Sequence, residues 1–120
     1  MSFRWADYLS LARSILSQAS ALGEEASQRS AVSRAYYAAF CHARNYARDQ
    51  HAYSPRYDSS DHRGIREYLA RHRVGRTVCP KLNELMTWRQ QCDYEDRVEN
   101  LAQIASKAIQ YAEDIIRILP

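Results

Sequence analysis

The chain has 120 residues and a net charge of +3, with 46% hydrophobic and 26% charged residues. Its length predicts a single domain, residues 1–120, that buries a core without disulfides or a structural metal, and a second domain is not expected. Only three Gly and three Pro are present, a composition that favours long helices over a turn-rich β architecture.

The first two predicted helices rest on apolar residues that recur at steps of three and four. A helix is predicted over about residues 4–21, with Gly23 ending the pattern. A second helix is predicted from Glu24, whose charge suits a helix N-terminus, to about Asp49. The apolar stripe of the first helix consists of Trp5, Tyr8, Leu9, Ala12, Ile15, Leu16 and Ala19.

The middle of the chain alternates between loops and shorter helices. Residues 50–60 lack a period and are rich in cap-forming residues, which predicts a loop, and a short helix is predicted over about residues 61–72. Val74-Gly75-Arg76-Thr77 interrupts the pattern. A fourth helix is predicted from Pro80, which suits a first helical turn, to about Asp93.

The last predicted helix has the longest regular pattern. It begins at Glu95, with three acidic residues in its first turn, and runs for about 25 residues to Pro120. Five helices joined by short turns and one longer loop predict an all-α fold, an antiparallel up-and-down bundle of four to five helices without a β-sheet.

Targeting and membrane segments are not expected. The sequence lacks an apolar leader and has no run of eighteen apolar residues, so neither a signal peptide nor a membrane span is predicted. Cys41, Cys79 and Cys92 are widely spaced and form no CxxC pair, which favours a reducing compartment. We therefore predict a cytoplasmic protein with neither a metal site nor a cofactor.

Arg34 stands among alanine, tyrosine and phenylalanine in the second predicted helix. If this arginine is buried, it needs a carboxylate, and Asp93 is the predicted partner. Alternatively, Arg34 faces a groove and binds a nucleotide phosphate with its planar fork. Tyr36 and Tyr37 are about 100° apart on the helix, so one is expected in the core and the other at a groove or interface.

Three motifs together resemble the small proteins of the HEPN superfamily (higher eukaryotes and prokaryotes nucleotide-binding). They are Ser33-Arg34-Ala35-Tyr36-Tyr37-Ala38-x-Phe40, His62 after the following loop, and Arg89-x-x-x-Asp93-Tyr94. The resemblance implies a helical bundle that forms a homodimer, often beside a nucleotidyltransferase partner in a toxin–antitoxin or defence module. It also implies a possible metal-independent RNase activity, in which the Arg steadies the scissile phosphate and a His moves protons.

At the catalytic motif, the chain departs from the nucleolytic branch of the family. Four residues separate Arg89 from Tyr94, which stands where that branch has His. The implied catalytic set is therefore Arg89, Asp93 and Tyr94, although a Tyr titrates near 10 and is a poor base at neutral pH. This departure favours binding of RNA or a nucleotide, or docking of a nucleotidyltransferase that modifies Tyr94. The alternatives are an RNase that uses Arg89 in a dimer groove and a purely structural bundle.

Residues 62–76 carry the predicted phosphate-binding surface. Basic side chains there far outnumber acidic ones, as in proteins that bind RNA, although a solvated charged face has the same composition. Stacking on a nucleotide base is the functional interpretation of the tyrosine pair, and packing is the structural one. The predicted RNA- or nucleotide-binding residues are Arg34, Tyr37, His62, Arg63, Arg66 and Arg73.

Overall fold

Six α-helices make up most of residues 2–120, the part of the chain that the computed structural model describes. No β-strand occurs in this range, which confirms the predicted all-α class. None of the helices in residues 2–120 has both the length and the apolar content needed to cross a membrane. The helices are α1 (Ala6–Ser17), α2 (Ala19–Leu22), α3 (Glu24–His51), α4 (Ser60–Ala70), α5 (Arg73–Tyr94) and α6 (Leu101–Ile118).

Helix α3 lies at the centre of the fold and packs against each of the other five helices. It can do so because much of its buried surface is alanine, which lets neighbouring backbones approach closely. Larger side chains fill the spaces between these contacts, among them Val32, Tyr36 and Phe40. The buried alanines of α3 are Ala31, Ala35, Ala38, Ala39, Ala43 and Ala47.

The N-terminal helix prediction is wrong in one respect, because residues 4–21 form two helices. The break falls at Gln18, whose φ of −104° and ψ of 15° leave the helical range. Gly23 then separates α2 from α3 with a φ of 110°, a conformation that L side chains rarely adopt. Residues 2–120 therefore hold six helices where four to five were predicted.

Helix α5 begins at Arg73, seven residues before the predicted start at Pro80. Gly75 does not break the helix there, since it lies buried where α5 meets the end of α4. Pro80 is tolerated inside the helix because it lies on an exposed face, where solvent can bind the carbonyl that lacks the Pro80 N–H.

Helix α6 begins at Leu101 instead of Glu95, because Arg29 of α3 holds the preceding segment in a non-helical conformation. The Arg29 guanidinium donates to the carbonyl oxygens of Cys92, Glu95 and Asp96 at 3.0, 2.6 and 3.0 Å. These bonds cap the C-terminus of α5, which short-range patterns cannot predict, because Arg29 lies more than sixty residues away.

Candidate functional site

Arg89 is the one buried arginine among residues 2–120 and lies between α5 and α3. Only 8% of the surface of Arg89 is exposed. The guanidinium lies over the rings of Tyr36 and Tyr37, with centroid distances of 5.3 and 5.6 Å. The negative faces of these rings attract the cation, but they supply no hydrogen-bond acceptor in the plane of the guanidinium.

Within residues 2–120, no acceptor forms a hydrogen bond with any of the five N–H groups of Arg89. Its Nη1 makes one ion pair, to Asp93 Oδ2 at 3.6 Å, which is too long for a hydrogen bond. Nε is shut off from solvent without a partner, whereas the two Nη atoms are reached from outside. A buried cation with an open edge and unused donors is a site for an oxyanion.

His62, at the start of α4, lies beside this arginine. Its Nδ1 hydrogen-bonds with the hydroxyl of Tyr36, and its ring stacks on Phe40 at a centroid distance of 4.3 Å. Burial and the positive charges of Arg89 and Arg66 lower the pKa of His62 below the ordinary 6.5. The ring is therefore neutral at pH 7.

The hydrogen bond with Tyr36 decides which ring nitrogen of His62 carries the proton. Burial raises the pKa of Tyr36 well above 10, so its hydroxyl is protonated. That hydroxyl is buried and has His62 Nδ1 as its hydrogen-bond partner within residues 2–120. Tyr36 therefore donates to Nδ1, and the neutral ring carries its own proton at Nε2, where it is a donor.

The low pKa of His62 gives a testable pH dependence. We expect the free energy of unfolding to fall as the pH drops below about 6.5, because the unfolded chain, with the ordinary pKa, binds the proton first. The loss grows until the pH reaches the lower pKa of the folded state. Urea unfolding between about pH 5 and 8 measures it. The variant His62→Gln should show a flatter profile, and an equally steep one would contradict this assignment.

A pocket of about 400 Å³ adjoins Arg89 through Asp93. Asp93 Oδ2 accepts a weak hydrogen bond from Ser33 Oγ at 3.4 Å, so the same carboxylate faces both the pocket and Arg89. Hydroxyl and guanidinium groups dominate the polar lining. The pocket is lined by Ala26, Arg29, Ser30, Ser33, Arg34, Cys92 and Asp93.

The predicted pairing of Arg34 with Asp93 is wrong. Arg34 is exposed and lies over the ring of Tyr8 in α1, 5.3 Å from its centroid, while Asp93 faces Arg89 and Ser33. Arg34 precedes the buried Tyr36 by two positions, which places their side chains about 160° apart around α3. Arg34 still reaches the rim of the pocket that Asp93 lines.

The structure brings together only two members of the predicted catalytic set. Asp93 follows Arg89 by one helical turn and faces it, but Tyr94 is rotated by about 140° from Arg89 around α5. Tyr94 is 77% exposed and lines a neighbouring pocket, which shares Ala26, Arg29 and Asp93 with the first one.

The predicted phosphate-binding residues also divide into two groups. Tyr37 and Arg66 join His62 near Arg89, since Arg66 Nε donates to the His62 carbonyl oxygen at 3.1 Å and Tyr37 is edge-on to the His62 ring. Arg63 is exposed and pairs with Glu67 at 2.8 Å, and Arg73 is exposed at the first residue of α5. The contact between Tyr36 and His62 could not be predicted from the sequence, since no spacing rule links residues 26 apart.

The arrangement around Arg89 can bind an oxyanion. It combines a buried guanidinium, the Arg66 charge and a neutral histidine that donates from Nε2. No group of three or more His, Cys, Asp or Glu side chains within residues 2–120 is placed to hold a metal ion. Comparison of the chain with protein-family models, with curated proteins and with solved structures finds no match.

Proposed function

We propose that the chain is a HEPN-family protein that binds RNA or a nucleotide, with a phosphate group held at Arg89. The lack of any hydrogen bond to this buried guanidinium within residues 2–120 is the observation that supports the proposal. A phosphate supplies the hydrogen-bond acceptors that Asp93, at 3.6 Å, does not supply, and its oxygens match the planar fork of the Arg89 side chain.

The groups near Arg89 suit the same ligand. Arg66 adds a second positive charge, and both charges already act on His62. His62 Nε2 adds a neutral donor, which costs less to bury than a third cation. Tyr37 is half-buried with its ring against both Arg89 and His62, so it can contact the sugar or base of a bound nucleotide.

Metal-independent RNA cleavage is the alternative, and the tautomer of His62 disfavours it. A general base must accept a proton from the ribose 2′-hydroxyl, but a ring that is protonated at Nε2 and hydrogen-bonded at Nδ1 has no free lone pair. Tyr94 does not replace it, because its exposed ring lies on another side of α5.

The test is a titration of labelled single-stranded RNA hexamer and of AMP, followed by fluorescence anisotropy and calorimetry. We expect wild type to bind both ligands and its affinity to fall as the salt concentration is raised. Arg89→Met should bind both ligands about 10- to 100-fold more weakly. The control Arg117→Met removes the same charge from an exposed position on α6. Wild-type affinity in Arg89→Met would contradict the proposal, and RNA cleavage without metal would favour the RNase.

Docking of a nucleotidyltransferase partner is a second candidate function, and the position of Tyr94 supports it. The ring is 77% exposed at the end of α5, where a partner's active site can reach it. Its hydroxyl oxygen would attack the α-phosphorus of a nucleoside triphosphate, forming an O–P bond and releasing pyrophosphate and a proton. We expect protein from its native cells to carry a nucleotide on Tyr94, detected by mass spectrometry and absent from Tyr94→Phe. An unmodified Tyr94 in those cells would contradict it.

A further inference from the structure

Tyr57, in the loop between α3 and α4, is held outward in an unfavourable backbone conformation. Its φ is 59°, in the left-handed region that a bulky side chain seldom occupies, and its side chain leaves the residue 62% exposed. Burial of the ring therefore does not compensate the cost of this conformation. Strain of this kind often accompanies a binding role.

A buried carboxylate fixes the loop around Tyr57. Asp61 is 2% exposed and accepts hydrogen bonds from the backbone N–H groups of Arg56 and Tyr57 at 3.0 and 2.7 Å. It also accepts one from the Tyr53 hydroxyl at 3.0 Å. With these partners Asp61 holds the Tyr57 backbone in place, so little conformational entropy remains to be lost when a ligand contacts the ring.

Two arginines of α3 contact the Tyr57 side chain. The Arg44 guanidinium lies 5.0 Å from the centroid of the Tyr57 ring and 5.6 Å from that of Trp5. Arg48 donates to the Tyr57 hydroxyl oxygen at 3.2 Å. An exposed ring beside two guanidinium groups has the composition of a surface on which nucleic-acid bases stack.

This surface lies on the same side of α3 as the Arg89 site. Arg44 follows Tyr37 by seven positions, which places their side chains within about 20° of each other around the helix and about 10 Å apart along it. Arg48 lies on the same side of α3 as Arg44. The acidic residue nearest to them along the helix, Asp49, is paired with Arg48 at 2.8 Å. The charge of this side therefore suits a polyanion.

We propose that the ligand is a single-stranded RNA segment that places one phosphate at Arg89 and stacks an unpaired base on Tyr57. This inference rests on the proposed function and extends it, because it adds a second contact at a ring about two helical turns further along α3 than Tyr37. In this arrangement Arg44 packs against the Tyr57 ring. It also attracts the RNA phosphate that lies between the Arg89 contact and the Tyr57 contact.

The test compares Tyr57→Asn and Tyr57→Phe with wild type against AMP and labelled oligouridylates of two, four, six and eight nucleotides. Asn tolerates the left-handed conformation better than Tyr, so Tyr57→Asn removes the ring without straining the loop. We expect wild-type affinity to rise with length until the strand reaches both contacts. Tyr57→Asn should bind the hexamer about tenfold more weakly, with unchanged affinity for AMP, and Tyr57→Phe should bind both as wild type does.

The controls separate this inference from the proposed function. Arg44→Gln should weaken hexamer binding, whereas Arg117→Gln, a matched change on α6, should not. If Tyr57→Asn binds the hexamer as tightly as wild type, the stacking contact is overturned while the Arg89 site stands. If wild type binds neither AMP nor the hexamer, both proposals fail. Thermal unfolding of each variant confirms that the loop change has left the fold intact.

Discussion

Arg89→Met is expected to unfold at a higher urea concentration than wild type while binding RNA 10- to 100-fold more weakly. Phosphate would form hydrogen bonds with the charged Arg89 side chain, each worth about 1.5–3 kcal/mol. Arg89→Met cannot form these bonds, so its affinity falls. The gain in stability follows from the state of the side chain in the free protein, where the guanidinium is buried without hydrogen bonds.

The sign of the stability change depends on what Arg89 contributes when no ligand is bound. Its Asp93 partner is 3.6 Å away with a side chain that is 30% exposed, so the pair gains little energy and Asp93 remains hydrated without it. The cation–π contacts with Tyr36 and Tyr37 are lost, but a Met sulfur makes comparable contacts with aromatic rings. Replacing a poorly paired buried charge by an apolar side chain should therefore raise the free energy of unfolding by about 1–2 kcal/mol.

Urea unfolding at pH 7 and RNA titration on the same protein samples test both halves of this expectation. Arg117→Met is the matched control, since Arg117 is exposed and its partner Asp114 keeps an ion pair with Lys81. A fall in stability of several kcal/mol in Arg89→Met would show that the arginine is a structural element of the α3–α5 contact. It would then no longer be evidence for an oxyanion ligand.

Local sequence patterns predicted those parts of the fold that depend on one helix at a time. The start of α3 at Glu24 and the loop before α4 follow from periodicity and capping residues. The start of α6 does not, because Arg29, a distant residue of α3, binds the carbonyl groups that precede it. The sequence around Gly75 predicts a break in the helix. Gly75 nevertheless belongs to α5, because it packs against the backbone of Leu69 in α4.

In the candidate site, too, some features could be predicted from the sequence and others depend on contacts between helices. Arg89, Asp93 and His62 could be singled out because they stand in the motifs that resemble the HEPN superfamily. The same motif grouped Tyr94 with Arg89, although the two side chains are about 140° apart around α5. The exposure of Arg34 could not be predicted, because it depends on where α1 places Tyr8. The donor role of His62 depends on a hydrogen bond between α3 and α4, so it required the tertiary structure.

Gly75→Ala is expected to lower the free energy of unfolding by about 2–3 kcal/mol, although Ala favours a helix over Gly by about 1 kcal/mol. A Cβ at this position would lie 2.7 Å from the Cα and 2.8 Å from the carbonyl carbon of Leu69, with the carbonyl oxygen closer still. These are backbone atoms at the end of α4, so no side chain can rotate to make room. Helices α4 and α5 must move apart.

Gly64→Ala is the matched control for this clash, because it adds the same methyl group to a helical glycine of α4. Its Cβ would meet the Tyr53 hydroxyl, the end of a side chain, so the contact can be relieved at the cost of one hydrogen bond to Asp61. We therefore expect urea unfolding to show a smaller loss in Gly64→Ala than in Gly75→Ala. Equal stability of Gly75→Ala and wild type would mean that the α4–α5 junction is not tightly packed.

Gly75→Ala should also weaken phosphate binding, because α4 and α5 each carry some of the side chains that would bind the phosphate. His62 and Arg66 belong to α4 and Arg89 belongs to α5, so a shift at Gly75 changes the distance between donors that must bind one phosphate. Positioning errors of about 1 Å are costly for such contacts. Folded Gly75→Ala should thus bind AMP, which contacts the Arg89 site and not the Tyr57 loop, more weakly than Gly64→Ala at a temperature where both are native. Unchanged affinity would indicate that phosphate binding depends on Arg89 alone and that His62 and Arg66 are not part of the contact.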